Sequence, residues 1–222
     1  MKFIIKNKIE PIEFTDWKNN NPNLKYNDLK NPEKAILKDS LICEQKKLCC
    51  YCECRLINDD SNIEREGSNI EREDSHIEHF RPKDNSMFPE LQFEYTNLFA
   101  SCTKNKGQCS SDKEHCGHKK SNYFSDKLIS PLEKDCDKHF IYSLEGEILP
   151  KDENDDRAIE TIEILNLNSE LLIEKRKEII DFLYEHILTL EEEISKHLAE
   201  KNNTLGEFYS MVDSLFNKKL HS

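Results

Sequence analysis

Two groups of residues in this sequence have the types and the spacing that a chemical site requires. The first is the segment HIEHFRP at positions 76–82, in which the acid Glu78 directly precedes His79. Hydrolysis of a phosphodiester needs an activated water and a cation that neutralises developing charge, and a metal-binding carboxylate beside a proton-accepting imidazole supplies both. The segment therefore predicts a hydrolytic site.

The neighbouring residues suggest how this pair is positioned. Adjacent side chains of a strand point to opposite faces, so Glu78 and His79 can converge only at a strand end, which Pro82 would provide. Asn97, in the segment YTNLFASC, has a side-chain carbonyl that can accept a hydrogen bond from His79 and orient its ring. His118 is a candidate to complete the metal site.

The second group consists of cysteines. Cys49 and Cys52 form a C-x-x-C pair, which is the spacing of a zinc knuckle, and a tetrahedral site needs two further soft ligands. The candidates for these are Cys102, Cys109 and Cys116. We expect packed or free thiols at Cys43, Cys50, Cys54 and Cys136, and of these Cys50 and Cys54 also stay possible ligands. A thioredoxin-like role is disfavoured, since the βαβ pattern that it requires is missing.

Composition limits the architecture that can position these groups. The chain has 222 residues, of which 36% are hydrophobic and 34% charged, and its mean hydropathy is −0.80. These values favour small modules packed by helices over one large core. The net charge of −12 argues against a nonspecific nucleic-acid coat. Most of the negative excess lies in the C-terminal third, so a central site that faces phosphates remains possible.

The N-terminal segment is too poor in apolar residues for a signal peptide, and no stretch is apolar enough to span a membrane. We therefore expect a cytoplasmic protein. In that compartment thiols stay reduced, so the nine cysteines are expected to act as metal ligands or catalysts rather than as disulfides.

Secondary-structure signals are clearest outside the two groups. The segment KFIIK near the N-terminus is strand-like, and Pro32 is placed to open a helix that leads into the cysteine knuckle. Glu145 and Gly146 mark the turn of a hairpin. Beyond Ser169, a candidate N-cap, apolar residues recur every three or four positions to Leu198, and a last helix is predicted near 205–220. The apolar faces of these helices are expected to form ordinary core.

The order of the motifs carries a resemblance. The segments EQKKLCCYCE, HIEHFRPK, YTNLFASC, CGHKK and ISPL follow one another along the chain. In this combination the sequence resembles the HNH nucleases, whose ββα-metal finger is clasped by zinc. It is more closely similar to the HNH endonuclease subunits of Septu-type antiphage systems and related retron systems (PtuB-like). The similarity runs from about Pro11 to the segment LNLNSELLIEKRKEII and so covers most of the chain.

The resemblance implies a role for each site residue. His79 is the general base, Glu78 a metal ligand and Asn97 the residue that orients the base. The structural zinc positions match Cys49, Cys52, Cys102 and Cys116, with Cys109 as a rival because the family's second pair is often closer in sequence. Contacts to the nucleic-acid backbone are implied for Lys119 and Lys120.

One position departs from the family's pattern. The last HNH residue usually follows the final zinc cysteine directly, and that slot holds Gly117 in this chain. His118, one residue further on, is the first candidate for the ligand of the catalytic metal, and His76 is the reserve.

The implied architecture is α+β, with a zinc-stapled ββα-metal (HNH, or His-Me finger) core. We expect an N-terminal strand and helix extension over 1–40, the nuclease module over 41–130, and a hairpin with amphipathic helices over 131–222. The implied cofactors are a structural Zn²⁺ and a catalytic Mg²⁺ or other divalent metal. The implied partners are a companion ATPase (PtuA-like), a DNA substrate and, in retron versions, an RNA-DNA element. Two alternatives stay open, an RNA substrate such as tRNA and a noncatalytic zinc-stapled adaptor.

Two near copies of one heptad, at 61–67 and 68–74, precede the predicted site. They keep the glutamate of the third copy, but Asn62 and Asn69 replace His76, and Arg65 and Arg72 replace His79. Without the base they cannot repeat the chemistry, so we interpret them as a duplicated spacer.

This interpretation predicts that deletion of residues 61–74 is tolerated far better than the single substitution His79→Ala. Nuclease activity of the two variants, measured side by side, checks this. Equal loss of activity in both would show that the repeats do more than span a distance.

Overall fold

The structure is a computed structural model that describes residues 1–56, 75–83, 88–102 and 114–217. The duplicated heptads, Cys109 and the lysines at 104, 106 and 113 lie outside the described residues. The described segments contain helices and two small antiparallel sheets, which confirms the predicted α+β class.

The centre of the molecule is a two-stranded antiparallel sheet. Strand β1 spans Ser75–His79 and strand β2 spans Leu98–Cys102, and the two pair over their whole length. A short helix, α3 at Cys116–Lys120, contacts β2, as does helix α2 at Glu33–Glu44. The order strand, strand, helix is that of the predicted finger.

Strand β2 is buried at all five positions, which explains its continuous apolar and small residues, LFASC. The Gln45 side chain pairs with its backbone, since Nε2 donates to the Ala100 carbonyl (2.7 Å) and Oε1 accepts from the Ala100 amide (2.7 Å). The Cys50 amide donates to the same carbonyl (3.1 Å). These contacts satisfy buried backbone groups and fasten the cysteine knuckle to the sheet.

The N-terminal region differs in part from its prediction. Helix α2 follows Pro32 as expected, but residues 1–10 form no strand. Burial along this segment does not alternate as it would in a strand, since Met1 and Ile4 are buried while Ile5 is 73% exposed. The Ile4 amide donates one backbone hydrogen bond, to the Pro131 carbonyl. A further helix, α1 at Ile12–Asn20, packs on α2.

The C-terminal region begins with the predicted hairpin. Strands β3, Phe140–Tyr142, and β4, Ile148–Pro150, pair across a turn in which Gly146 has φ +91°. A glycine suits this position because the left-handed region carries a steric penalty for other residues. The Asp155 side chain then caps helix α4, Asp156–Ile164, by accepting from two backbone amides.

The long apolar periodicity beyond Ser169 corresponds to two helices rather than one. Helix α5 spans Glu170–Glu185 and α6 spans Leu190–Leu198, with a 3₁₀ turn at Ile187–Thr189 between them. The predicted last helix is shorter than expected, since α7 covers Tyr209–Val212 and continues as a π-helical turn to Asn217. Within the described segments, no helix has the length and apolar character that a membrane crossing requires.

Candidate functional site

Four of the predicted cysteines meet at the centre of the molecule. The Sγ atoms of Cys49, Cys52, Cys102 and Cys116 all lie within 4.8 Å of one another, and all four residues are buried. Among the residues that the structure describes, this is the one group of Cys, His, Asp or Glu whose ligand atoms converge in this way. Cys50 and Cys54, although buried nearby, are not part of it.

Three separate parts of the chain bring these sulfurs together. The knuckle is closed by the Cys49 amide, which donates to the Cys54 carbonyl (2.9 Å), and it meets β2 where the Cys102 amide donates to Cys49 Sγ (3.4 Å). Cys116 opens α3 with φ +57°, and its amide donates to the Leu165 carbonyl (2.8 Å). The cluster therefore joins the knuckle, the sheet and the short helix.

The sulfurs also shift one another's proton affinity. Burial opposes ionisation of Cys49 and Cys52, but hydrogen bonds from the Cys102 and Cys116 thiols outweigh it and lower the pKa of both. The pKa of Cys102 and of Cys116 is raised in turn by their contacts with Cys49 and Cys52 and by burial. Because metal binding displaces the protons of thiols, the four converging sulfurs can hold a metal ion.

The Glu78 carboxylate is the second focus of the site. Glu78 is 6% exposed and meets three polar side chains. Lys120 Nζ lies 2.8 Å from its Oε1, the Tyr51 hydroxyl donates to the same oxygen (3.3 Å), and His76 Nε2 lies 3.3 Å from its Oε2. Burial alone would raise the pKa of Glu78, but the His76 hydrogen bond and the Lys120 charge outweigh it and lower the pKa. The carboxylate is thus held ionised inside the protein.

The surroundings of Gly117 explain why a glycine stands where the last HNH residue is usual. A Cβ at this position would lie 2.5 Å from Glu78 Oε2 and 2.7 Å from His76 Nε2, so the space of a side chain at 117 is already filled by these two groups. His76 reaches it because positions 76 and 78 share one face of β1. The His118 ring lies 4.6 Å from the His76 ring, and burial together with His76 lowers the pKa of His118.

His79 lies at the end of β1, and its ring contacts different groups from those that surround the Glu78 carboxylate. Its Nε2 lies 3.1 Å from the Gln92 carbonyl oxygen, and the Tyr26 ring packs edge-on against the imidazole at 4.3 Å. Burial lowers the pKa of His79 to about 4, so the ring is neutral near pH 7. Because a carbonyl only accepts hydrogen bonds, Nε2 carries the proton and Nδ1 carries the lone pair.

Asn97 does not make the hydrogen bond to His79 that the sequence suggested. Its Oδ1 accepts from the Arg81 amide (2.8 Å), and its Nδ2 donates to the carbonyls of Arg81 (2.9 Å) and Leu91 (3.1 Å). The side chain therefore fixes the backbone after His79 to the 3₁₀ turn that contains Gln92. Asn97 thus contacts backbone on both sides, and the direct contact to the His79 ring comes from the Gln92 carbonyl.

The two lysines after Gly117 have different environments. Lys119 is exposed, as a contact to a nucleic-acid backbone would require. Lys120 is 2% exposed, and besides Glu78 it contacts the His79 carbonyl through Nζ (3.0 Å). The predicted backbone contact of Lys120 is not available in this arrangement, because the buried carboxylate next to it holds the ammonium.

The sequence reasoning missed three residues of this region. One is the buried His115, whose Nδ1 lies 3.2 Å from Cys116 Sγ and 3.6 Å from Cys102 Sγ. Tyr51 stands between the knuckle cysteines and donates to Glu78, and its place in the motif CCYC was a usable signal. Gln92 contributes only its backbone carbonyl, and no side-chain pattern could have identified it.

The described residues thus place the ionised Glu78 carboxylate near the His76 and His118 rings. The neutral His79 ring lies at the end of the same strand, and the four-sulfur cluster is adjacent.

Comparison with known proteins gives two relatives. No family model matches the chain. It is 29% identical over 157 residues to the "Retron Vc95 putative HNH endonuclease" of Vibrio cholerae serotype O1 biovar El Tor, over 68% of this chain and 67% of that protein. It is also 29% identical over 140 residues to "Septu protein PtuB" of Bacillus thuringiensis, over 61% of this chain and only 42% of that protein. The resemblance indicated by the motifs is confirmed by these two relatives.

The buried ion pair yields a stability prediction. Lys120→Met leaves the Glu78 carboxylate buried without its ammonium, and we expect it to lower the free energy of unfolding by about 3–5 kcal/mol. Urea denaturation measures this change. The matched control is Lys119→Met, which removes the adjacent exposed lysine and should change stability little.

The double variant Glu78→Gln/Lys120→Met should lose less stability than Lys120→Met alone, because no charge is then left unpaired. Equal losses in the single and the double variant would contradict the ion pair as the reason for the burial of Lys120.

Proposed function

We propose that this protein is a metal-dependent HNH endonuclease that hydrolyses nucleic-acid phosphodiester bonds as an effector of antiphage defence. The observation that carries the proposal is the pairing of Glu78 with His76 and Lys120 beside the neutral His79, at the end of a two-stranded sheet that a short helix covers. The printed names of both relatives support the nuclease class and the defence setting.

The two oxygens of Glu78 have different tasks in this proposal. Lys120 and Tyr51 hold Oε1, which leaves Oε2 and His76 Nε2 for a catalytic divalent cation. Their 3.3 Å separation suits neighbouring ligands on one ion, since bonds of about 2.1 Å at right angles place ligand atoms about 3 Å apart. His118 is close enough to His76 to serve as a further ligand. The ion, Mg²⁺ or another divalent metal, would stabilise negative charge on the phosphate.

His79 is the proposed general base. Its neutral ring has a lone pair on Nδ1, which can accept a proton from water, while the Gln92 carbonyl fixes the opposite nitrogen. Asn97 would keep this geometry by tying the backbone after His79 to the turn of Gln92. Lys119, which is exposed next to the site, would contact the nucleic-acid backbone.

We assign a structural zinc ion to the four cysteines. Tetrahedral zinc with Zn–S bonds of about 2.3 Å separates its sulfurs by about 3.8 Å. The sulfurs of Cys52 and Cys102 are 3.7 Å apart. The ion would not act on the substrate, because four sulfurs leave no coordination position open.

The companion components follow from the same resemblance. We propose that a partner ATPase (PtuA-like) controls the nuclease module at 41–130, and that retron versions add an RNA-DNA element. DNA is the first candidate substrate, with an RNA such as tRNA as the alternative. Because the sequence similarity spans less than half of the PtuB relative, the activity and partners of the whole system are part of the proposal.

The catalytic assignment predicts that His79→Ala abolishes cleavage while the protein keeps its fold and its zinc. Cleavage of labelled DNA and RNA by the full chain with its partner ATPase, in the presence and absence of Mg²⁺, measures this effect. The control is His186→Ala, which removes an exposed histidine at the end of α5 and should cut like the wild type. Cleavage that survives in His79→Ala would refute the role of His79.

The same assay tests the alternative of a noncatalytic adaptor. An adaptor would bind its partners but produce no His79-dependent, metal-dependent cleavage of either nucleic acid. Sequencing of the cleaved ends from cells that express the system would identify the substrate.

The zinc assignment predicts about one tightly bound zinc ion per chain, lost or weakened in Cys49→Ser. Elemental analysis of the purified protein gives the zinc content, and thermal unfolding gives the loss of stability. Cys43→Ser is the matched control, since Cys43 is exposed and lies outside the cluster. Folded wild-type protein without zinc would rule out the assignment.

A further inference from the structure

A cleft of about 310 Å³ lies against the backbone that follows β1. Its wall includes Phe80 and Arg81, the two residues that follow His79. It also includes Asn97, which directly precedes β2, and Phe124, which follows α3. The volume is at the lower end of the range of about 300–1,000 Å³ in which ligand pockets fall. The cleft thus has room for one small ligand, and two of its lining residues directly follow the proposed base in the chain.

The wall nearest to the site is rigidly held. Asn97 grips both backbone polar groups of Arg81, accepting from its amide and donating to its carbonyl, and the Phe80 amide donates to the Asn97 carbonyl (3.0 Å). These contacts fix the Arg81 backbone at the end of the sheet. The guanidinium takes no part in these contacts.

The rim of the cleft is planar and aromatic. The Arg81 guanidinium lies 5.4 Å from the ring centroids of both Phe88 and Phe124, and the Phe80 ring meets the Phe124 ring edge-on at 5.9 Å. Arg81 is exposed. Aromatic rings and guanidinium planes are the surfaces on which proteins stack unpaired bases.

The charge of the cleft excludes a phosphate as its main occupant. Glu133 and Arg157 neutralise each other through a two-pronged contact of 2.6 and 2.8 Å. The charged groups that remain are Arg81 at the rim and the carboxylates of Glu94 and Asp126. A neutral planar group with N–H donors suits this lining, because the carboxylates can accept its hydrogen bonds and the rings can cover its face.

We propose that this cleft binds one unpaired nucleobase of the substrate, stacked on Arg81 and Phe124, next to the bond that is cut. The inference rests on the proposed nuclease function and adds a substrate class to it. A base inside a continuous duplex would first have to be unpaired and unstacked, which costs free energy, so the preferred substrate has an unpaired nucleotide at the cleavage point.

The test compares two labelled oligonucleotides, one single-stranded and one fully paired as a hairpin stem. Binding is measured with the full chain in the His79→Ala background, where cleavage does not interfere. Phe124→Leu keeps an apolar side chain of similar volume but removes the ring. It should weaken binding of the single strand by about 5- to 150-fold, which is the range of one base-stacking contact, and leave binding of the stem unchanged.

Two further variants separate stacking from damage to the fold. Phe124→Trp keeps a stacking surface, so it should bind the single strand at least as well as the wild-type side chain. Its indole fluorescence, read against the single native tryptophan, should be quenched by the single strand and not by the stem. Phe182→Leu, on α5, is the matched control because it removes a half-exposed ring far along the chain, and it should bind both oligonucleotides normally.

The inference is overturned if Phe124→Leu behaves like Phe182→Leu, or if it weakens binding of both oligonucleotides equally. A separate cleavage assay in the wild-type background distinguishes this failure from that of the proposed function. Cleavage that depends on His79 but not on Phe124 would remove only the cleft assignment. Absence of any His79-dependent cleavage would remove the nuclease proposal itself.

Discussion

The convergence of four buried sulfurs is the constraint on which the rest of the structure depends. Cys49 and Cys52 come from the knuckle, Cys102 ends β2, and Cys116 begins α3. A two-stranded sheet of five residues per strand and a five-residue helix bury too little surface to be stable alone. Linking them at one point fixes the position of the helix on the sheet, and with it the positions of Gly117 and Lys120.

Once α3 is fixed, the environment of Glu78 follows. Gly117 brings the helix backbone so close to the strand that only hydrogen fits at its Cα, and Lys120, one helical turn later, reaches the carboxylate. An ionised carboxylate at 6% exposure would be costly without such partners. Lys120, His76 and Tyr51 supply these contacts. In the proposed mechanism, Lys120 and Tyr51 hold Oε1 and leave Oε2 to the cation. Stability and the proposed chemistry therefore rest on the same side chains.

Several elements could be predicted because their signals are local. The start of α2 after Pro32 and the hairpin around Gly146 follow from residues with narrow backbone preferences. The strand at KFIIK was wrong, and the break between α5 and α6 at 186–189 was missed, because apolar spacing alone does not say which partner surface is available. The cysteine motif indicated the sulfur cluster, and the structure reduced the possible ligands among the described cysteines to four.

The sequence by itself determined which chemical groups the site can contain, namely an acid next to a histidine, a downstream asparagine, and one C-x-x-C pair with further cysteines. Only the tertiary structure decided how these residues divide the work. It turned Asn97 toward the backbone of Arg81, gave His79 the Gln92 carbonyl as partner, placed Lys120 inside against Glu78, and filled the space at Gly117 with His76. The physical reason is that hydrogen-bond partners and burial depend on distances between segments far apart in the chain, whereas residue type and spacing record only what each segment can offer.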